Sequence, residues 1–312
     1  MGRHQLTKLY QGGLHFAAVV LLILIAQNAL SETTQFPITI QDSRETTLLV
    51  PSAPRTIVSL SPSLTEILFA VDAGDHVKGV TTYCNYPETA VEIEKIGGFS
   101  AKTISVEKIM SLEPDLVFAD QSRHGAIIDI LENYGIIVVA TNATSIEDCY
   151  SVIELVGRAT GNLELSLDLI KSMRSRVGRV TEVTGDIPMD QRPRVFWEVF
   201  DAPLMTAGPA TFIGQLIELA GGTNIFSDVE ESWPQISHEA LLERNPEVLM
   251  SSDSHGEKFT VEQVKSRTGW GELTAVKSER IYLFDGDTVS RPGPRIVDAL
   301  ELMAAALYPE LF

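Results

Sequence analysis

Short apolar runs alternate with helix-length amphipathic segments through the first half of the chain. Runs rich in β-branched residues predict strands at 56–61, 77–81, 115–120 and 136–141. Three of these runs lead into helical patterns, and the second leads into a Pro-containing loop. Apolar runs of this length separated by helices are typical of a parallel sheet covered on both faces. The pattern therefore predicts one α/β lobe here.

A single long polar-apolar stretch, 162–184, follows this lobe. Its apolar positions recur at steps of three and four, which places them on one helical face. These positions are Leu163, Leu167, Ile170, Met173 and Val177. Since an α-helix rises 1.5 Å per residue, the stretch would span roughly 33 Å. We predict one long connecting helix.

Beyond Arg194 the strand and helix patterns return in an order that parallels the first lobe. Two stretches nearly repeat each other: "EKIMSLEPDLVFA" from Glu107 and "EALLERNPEVLMS" from Glu239. Each predicts a short helix with Glu in its first turn, where the helix dipole favours negative charge, then a Pro that ends the helix and a buried strand. The repeat indicates two lobes of related topology.

The predicted fold is thus α/β, with two Rossmann-like lobes of mostly parallel sheets joined by one long backbone helix, and a ligand cleft between the lobes. The predicted boundaries are a signal peptide at 1–31, an N-terminal lobe at 32–161, the connecting helix at 162–184 and a C-terminal lobe at 185–312.

The signal peptide is predicted from the first 31 residues. Arg3 and Lys8 precede the uncharged run "LHFAAVVLLILIA" at 14–26, and Ala29 and Ser31 offer small residues for cleavage. The apolar run is shorter than the stretch of about 20 residues that a spanning helix needs. We expect an exported protein, with retention of the leader as a membrane anchor as the alternative. No Cys lies directly after the run, which argues against a lipoprotein anchor.

The composition is that of a globular protein, with 44% hydrophobic and 21% charged residues. The formal net charge is −18. So acidic a chain repels phosphate backbones and anionic lipid, which argues against nucleic-acid binding.

Known catalytic and metal-binding motifs are absent from the sequence. It contains no G-x-S-x-G, Walker A, H-E-x-x-H or G-x-G-x-x-G motif, and its six His residues are scattered. We therefore expect no enzymatic activity, no catalytic residues, no metal site and no cofactor. An exported enzyme or a metal-delivery protein remain the alternatives from other classes. Two cysteines, Cys84 and Cys149, leave a disulfide open.

Aromatic and small polar residues cluster at the predicted carboxyl ends of strands. They are 61–63, 83–87 and 97–99 in the first lobe, and 205–206, 233–234 and 287–291 in the second. Ligands of open α/β sheets bind beyond the carboxyl ends of strands, and clefts between domains are common small-molecule sites. These segments therefore predict a small-molecule cleft between the lobes.

The chain resembles the helical-backbone class of periplasmic substrate-binding proteins, which serves cobalamin and iron-siderophore ABC importers. The resemblance covers about residues 54–308 and includes the segments "RTIVSLSPSLTEILFA", "YCNYP", "KIGGFS", "GGTNIF", "WPQISHEALLERNPE" and "RPGPRI", besides the repeated stretch. "WPQIS" followed by the Glu-led helix is most similar to the cobalamin-binding branch.

The resemblance implies a monomeric receptor that captures a corrinoid, either cobalamin or a related compound. The receptor would deliver this corrinoid to an ABC permease dimer with its ATPase subunits. The implied ligand-binding residues are Pro62, Tyr83, Phe99, Met205, Trp233 and Asp287. Phe99 stands where the enteric cobalamin binder has Trp, and Met205 stands where it has Phe; both keep an apolar surface. The resemblance also implies that Glu107 and Glu239 dock onto the two permease subunits.

A ferric-siderophore or haem receptor of the same class is the alternative. Arg291 and Arg123 are the candidates for an anionic chelate, and Tyr83 and Tyr86 are the candidates for a haem ligand. The segment "GGFSA" lacks a Tyr where haem binders of this class place theirs.

Overall fold

The computed structural model describes residues 35–253 and 260–312. The predicted signal peptide lies outside the described residues. The strands are β1 (Ile38–Gln41), β2 (Thr47–Val50), β3 (Ile57–Ser59), β4 (Val77–Val80), β5 (Glu94–Lys95), β6 (Leu116–Asp120), β7 (Val138–Thr141), β8 (Arg194–Asp201), β9 (Leu204–Thr206), β10 (Thr223–Asn224), β11 (Val248–Ser252) and β12 (Ile281–Phe284). The helices are α1 (Pro62–Ala70), α2 (Val106–Ser111), α3 (Gln121–Asn133), α4 (Ile146–Thr160), α5 (Leu163–Gly185), α6 (Phe212–Leu219), α7 (His238–Arg244), α8 (Val261–Ser266), α9 (Thr274–Lys277), α10 (Gly286–Ser290) and α11 (Ile296–Leu307).

Two five-stranded sheets form the centres of the two lobes. The first has the order β5-β4-β3-β6-β7, with parallel pairing throughout. The second has the order β10-β8-β11-β12, also parallel, and β9 adds to β8 in the antiparallel direction. The predicted α/β fold with two mostly parallel sheets is confirmed.

Alternate residues of the central strands pack into different hydrophobic clusters. Ile57 of β3 and Val195 of β8 belong to one large cluster that includes residues of both lobes. Their neighbours Val58 and Phe196 point to the opposite faces, into separate clusters of the first and second lobe. Both faces of each sheet are thus buried, as expected for parallel strands. The shared cluster makes the two lobes one continuous core.

Helix α5 lies between the two lobes in sequence and has 23 residues. Its buried positions are Ser166, Ile170, Met173, Val180 and Thr184. The predicted face was partly wrong, since Leu167 is 47% exposed. Ser166 replaces it because α4 approaches closely there: a Cβ on Gly157 would lie 2.2 Å from Ser166 Oγ. A small side chain, rather than a Leu, fits that contact.

The sequence patterns did not predict the hairpin formed by β1 and β2. It is attached to the first lobe through its turn, where the Ser43 N–H donates to the Ala140 carbonyl over 3.0 Å. Asp42, whose side chain is fully buried, accepts from Arg44 in the same turn and from the Ala140 N–H. The hairpin thereby closes over the end of β7.

The repeated stretch forms the same structure in both lobes. In each copy a Ser caps a short helix, and a residue of positive φ follows the helix directly before Pro: Glu113 (φ 48°) before Pro114 and Asn245 (φ 40°) before Pro246. The residue after each Pro is acidic and accepts from the backbone that leads into the neighbouring strand. Asp115 accepts from Thr56 N–H, and Glu247 accepts from Arg194 N–H, both over 2.9 Å. The two copies are equivalent helix-to-strand units.

Candidate functional site

The loops at the carboxyl ends of β4 and β12 meet between the lobes. Asn85, after β4, donates its side-chain amide to Asp287 Oδ2 over 2.8 Å. Arg291, after β12, donates to the Tyr83 carbonyl over 3.1 Å. A second contact joins Gln215 Nε2 of α6 to the Thr144 carbonyl over 2.9 Å. The strand ends predicted to face one another are therefore adjacent.

Tyr83 and Phe99 form an aromatic wall in the first lobe. Their rings meet edge to face with centroids 6.0 Å apart, and Tyr83 is 59% exposed. The Arg123 guanidinium lies 4.8 Å from the centroid of the Phe99 ring, within the range of a cation–π contact. The wall thus offers apolar ring surface beside one cation.

The buried side chain of His124 supports this wall from behind. Its Nδ1 accepts from the Asp120 N–H over 3.0 Å, so its Nε2 carries the proton and donates to the Phe99 carbonyl over 3.1 Å. The His124 and Phe99 rings also meet edge to face, with centroids 6.2 Å apart. Burial lowers the pKa of His124, which favours the neutral ring that this bonding requires.

Met205 and Trp233 lie on neighbouring segments of the second lobe. Met205 pairs with Gln235 in an antiparallel bridge, and the segment from 232 to 234 runs beside 206–208. A Cβ on Gly208 would lie 2.1 Å from the Glu231 carbonyl oxygen, so glycine is required for this close approach. Trp233 remains 50% exposed. The second lobe therefore also presents a large ring that its own core does not cover.

Pro62 and Asp287 are less exposed than the rings of Tyr83 and Trp233. Pro62 occupies the first turn of α1 and is buried. Asp287 is engaged at both oxygens, by Arg291 over 2.7 Å and by Asn85. A carboxylate has about four acceptor positions, so Asp287 can accept further donors through its remaining lone pairs. Its side chain is 40% exposed.

The sequence patterns missed the charged groups that join the lobes, Glu66 of α1 and Arg295 after α10. Arg295 donates to both oxygens of Glu66, over 2.9 and 2.7 Å. A signal was present: Glu66 directly precedes the apolar run "ILFA" at 67–70, and "SRPGPR" places two Arg after a strand. The segment around Glu66 was predicted only as a helix, and Arg291 was considered only as a strand-end residue and as a candidate for an anionic chelate.

Glu107 and Glu239 occupy equivalent exposed helix starts. Each is the second residue of its helix, after the N-cap Ser105 or Ser237. Its own backbone N–H and the Ser105 hydroxyl hold the pKa of Glu107 below its usual range. The corresponding groups, with Ser237, lower the pKa of Glu239. Both are therefore carboxylates at neutral pH.

Neither a metal site nor a thiol bridge is found in the part of the chain that the structure describes. Within residues 35–253 and 260–312, no group of three His, Cys, Asp or Glu side chains could hold a metal ion. Cys84 and Cys149 are separate buried thiols, and burial raises the pKa of Cys149. In the same ranges no helix has the length and apolar character to cross a bilayer.

Two curated relatives match most of the chain. A Bacillus subtilis protein, the uncharacterized ABC transporter substrate-binding lipoprotein YvrC, is 36% identical over 91% of this chain and 90% of its own length. The cobalamin-binding protein of Halobacterium salinarum is 31% identical over 88% of this chain and 74% of its own length.

Solved structures share the fold. The periplasmic vitamin B12-binding protein BtuF of Vibrio cholerae is 27% identical, with a TM-score of 0.70 over 83% of this chain and 98% of that chain. The periplasmic heme-binding protein RhuT from Roseiflexus, in apo form, is 25% identical, with a TM-score of 0.74 over 83% of this chain and 99% of that chain.

The sequence profile of periplasmic binding proteins matches residues 57–288. The match begins at β3 and ends within α10, so it includes both sheets, α5 and the six implied ligand-binding residues. The chain belongs to the periplasmic binding protein family, as its sequence motifs indicated.

Proposed function

We propose that this protein is the substrate-binding component of an ABC importer, that it captures a corrinoid between its lobes, and that it delivers the corrinoid to the permease. The observation that carries the proposal is the pair of uncovered rings on opposite lobes, Tyr83 at 59% and Trp233 at 50% exposure. Tyr83 belongs to a loop that contacts the second lobe through Arg291, and Trp233 belongs to a segment of the second lobe that runs beside Met205. The relative named a cobalamin-binding protein supports the choice of ligand.

Ring surface on both sides suits a large flat ligand. Burying apolar area contributes about 25 cal/mol per Å², and aromatic faces supply it in rigid form. In this proposal Pro62, Tyr83 and Phe99 contact the corrinoid from the first lobe, and Met205 and Trp233 contact it from the second. Asp287 accepts hydrogen bonds from amide groups at the edge of the ligand.

Export and docking complete the proposed role. Residues 1–31 direct the protein to the periplasm, where it acts as a monomer without a catalytic role or a resident cofactor. Glu107 and Glu239 contact the two permease subunits, one from each lobe. Two exposed carboxylates in equivalent units are suited to a partner with twofold symmetry.

Calorimetric titration of the purified protein with cyanocobalamin tests the ligand. We expect saturable binding of one corrinoid per chain. Absence of binding at high micromolar ligand contradicts the corrinoid assignment.

A haem receptor is the second candidate, and the exposed phenols favour it. Tyr83 and Tyr86 are 59% and 47% exposed, and tyrosinate is a known axial ligand of haem iron. The structural similarity to RhuT is compatible with this candidate. A Soret band in protein purified from haem-supplied cells would favour haem over a corrinoid.

A further inference from the structure

A buried carboxylate of the first lobe is bound by two arginines of the second. The Glu66 side chain is only 1% exposed, at the α1 face that meets the segment after α10. Arg291 Nη1 donates to Glu66 Oε1 over 2.9 Å, and Arg295 binds both Glu66 oxygens. These bonds join groups more than 200 residues apart in sequence. All of them cross between the lobes.

Arg291 extends this contact to the candidate ligand residues. The same guanidinium binds Asn85 Oδ1 over 2.8 Å and the Tyr83 carbonyl over 3.1 Å, both in the first lobe. In its own lobe it binds Asp287 over 2.7 Å. The position of Arg291 therefore determines where the Tyr83 loop stands relative to Asp287.

Arg295 makes a second contact with the first lobe. Its guanidinium carbon lies 4.2 Å from the centroid of the Tyr86 ring. The segment between the two arginines also passes close to α1, since a Cβ on Gly293 would lie 3.5 Å from the Ser63 carbonyl oxygen. The two lobes are thus in direct contact around the charged groups, and water has little access to Glu66.

A buried charge is tolerated only while its partners remain in place, and removing them leaves an uncompensated ion in a poorly solvated site. Glu66 loses both partners if the lobes separate at this point. Asp287 pairs with Arg291 over 2.7 Å, and Asp285 lies 3.9 Å from Arg295, so three carboxylates surround the two guanidinium groups. Separation of the lobes at this point is therefore more costly than the loss of a solvent-exposed ion pair would be.

We propose that Glu66 is a positioning residue that latches the lobes together and, through Arg291, sets the separation of Tyr83 and Asp287 across the cleft. The latch itself does not depend on which ligand the cleft holds. Its effect on ligand binding rests on the proposed function.

Glu66→Gln is the variant that tests the latch, because it keeps the shape of the side chain and removes its charge. Glu198→Gln is the matched control: Glu198 is also a buried carboxylate, 5% exposed, and it pairs with Arg267, but both belong to the second lobe. Arg295→Lys is a milder second variant, which keeps the positive charge and loses the bidentate hydrogen bonding to Glu66.

Spin labels at Tyr134→Cys and Glu243→Cys, exposed sites on opposite lobes, report the interlobe distance by double electron–electron resonance. The native thiols are buried, so the labels react at the introduced sites. We expect one narrow distance distribution in the parent and in Glu198→Gln, and a broadened distribution in Glu66→Gln. Arg295→Lys should lie between them. A distribution in Glu66→Gln and Arg295→Lys as narrow as in the parent overturns the latch.

Stopped-flow measurements with cyanocobalamin add a readout that mere stabilisation would not change. We expect the dissociation rate constant to rise about tenfold in Glu66→Gln and to stay within about twofold in Glu198→Gln, because a preorganised cleft acts mainly on dissociation. An equal rise in both variants contradicts a positioning role. If no variant binds the corrinoid but Glu66→Gln still broadens the distance distribution, the ligand proposal fails and the latch stands.

Discussion

The carboxylate of Glu107 accepts a hydrogen bond from the hydroxyl of Ser105, with 3.0 Å between Ser105 Oγ and Glu107 Oε2. The same serine oxygen accepts the Lys108 N–H and caps α2. In the second lobe Ser237 caps α7 in the same way, through the Ala240 N–H, and its hydroxyl also lowers the pKa of Glu239. Each exposed carboxylate is therefore held by the cap of its own helix. This arrangement makes the two glutamates matched features of the two lobes.

Reversing the charge of these glutamates should separate docking from ligand binding. We expect Glu107→Lys and Glu239→Lys each to weaken association with the permease complex by about tenfold or more, because each change replaces the carboxylate of the proposed contact with a cation. Corrinoid affinity should stay within about twofold, since neither side chain belongs to the aromatic walls. Permease binding in detergent or nanodiscs and calorimetry measure the two effects.

Glu182→Lys, at an exposed position of α5, is the control for this charge change. If it weakens permease binding as much as the other two, net charge rather than a specific contact is responsible. Loss of ligand binding in the Glu107 and Glu239 variants would give them a structural role instead.

The serine caps make a separate prediction. Ser105→Ala should destabilise the protein by about 1 kcal/mol, the usual effect of losing an N-cap. The pKa of Glu107 should rise towards its ordinary value, because one of the two groups that lower it is removed. Denaturant unfolding measures the first effect, and NMR titration of the Glu side chains measures the second.

Ser111→Ala is a suitable comparison, since Ser111 belongs to the same helix and donates only to the Lys108 carbonyl. An unchanged Glu107 pKa in Ser105→Ala would show that the serine contributes nothing to the carboxylate.

Substitutions of the aromatic cleft residues should lower corrinoid affinity when they remove the ring, but not when they remove only the phenol hydroxyl. Trp233→Ala and Tyr83→Ala should each reduce corrinoid affinity by about tenfold or more, as expected for truncation of a large aromatic anchor. Tyr83→Phe should have little effect, because the proposed contact uses the ring rather than the phenol. Calorimetry with cyanocobalamin checks all three.

Tyr134→Ala is the control, because Tyr134 is 65% exposed at the end of α3, outside the candidate site. The haem candidate predicts the opposite behaviour for Tyr83→Phe or Tyr86→Phe: loss of the phenol would change the Soret spectrum of a haem complex. Strong loss of corrinoid affinity in Tyr83→Phe would contradict the ring contact.

Local periodicity was sufficient to predict the alternation of strands and helices, because a strand buried on both faces is a continuous apolar run in the sequence. The strand β6, for example, was predicted as 115–120 and is observed at Leu116–Asp120. Contacts such as Asn85 with Asp287, 202 residues apart, leave no periodic signal in the sequence. The helix that contains Glu66 was predicted from its apolar residues. The charged partners of Glu66 were not predicted because they lie in the other lobe. The short strands β5, β9 and β10 and the first hairpin were missed because so few residues carry their patterns.

The roles of the ligand and docking residues came from resemblance, and they stay predictions. The structure adds geometry that the motifs did not contain. It places Tyr83 against Phe99 and Met205 beside the Trp233 segment. It also shows Asp287 in contact with the opposite lobe.

His124 should make stability depend on pH. Burial lowers its folded-state pKa, so the folded protein binds a proton less readily than the unfolded chain, whose His titrates near pH 6.5. The stability associated with neutral His124 is therefore fully present above about pH 6.5 and is lost as the pH falls through the lowered folded-state pKa. Asp120 and Arg123, the charged neighbours, act in opposite directions on this pKa.

Thermal unfolding of the parent and of His124→Gln between about pH 7.5 and 5 tests this dependence. We expect His124→Gln to be less stable at pH 7.5, since the bonds to Asp120 and the Phe99 carbonyl are disturbed, and to lose less stability on acidification. The difference between the two proteins isolates His124 from carboxylates that titrate at lower pH.

Because His124 holds the Phe99 carbonyl, corrinoid affinity of the parent should fall over the same pH interval, and that of His124→Gln should change less. Parallel pH profiles in the two proteins would exclude His124 as the group responsible.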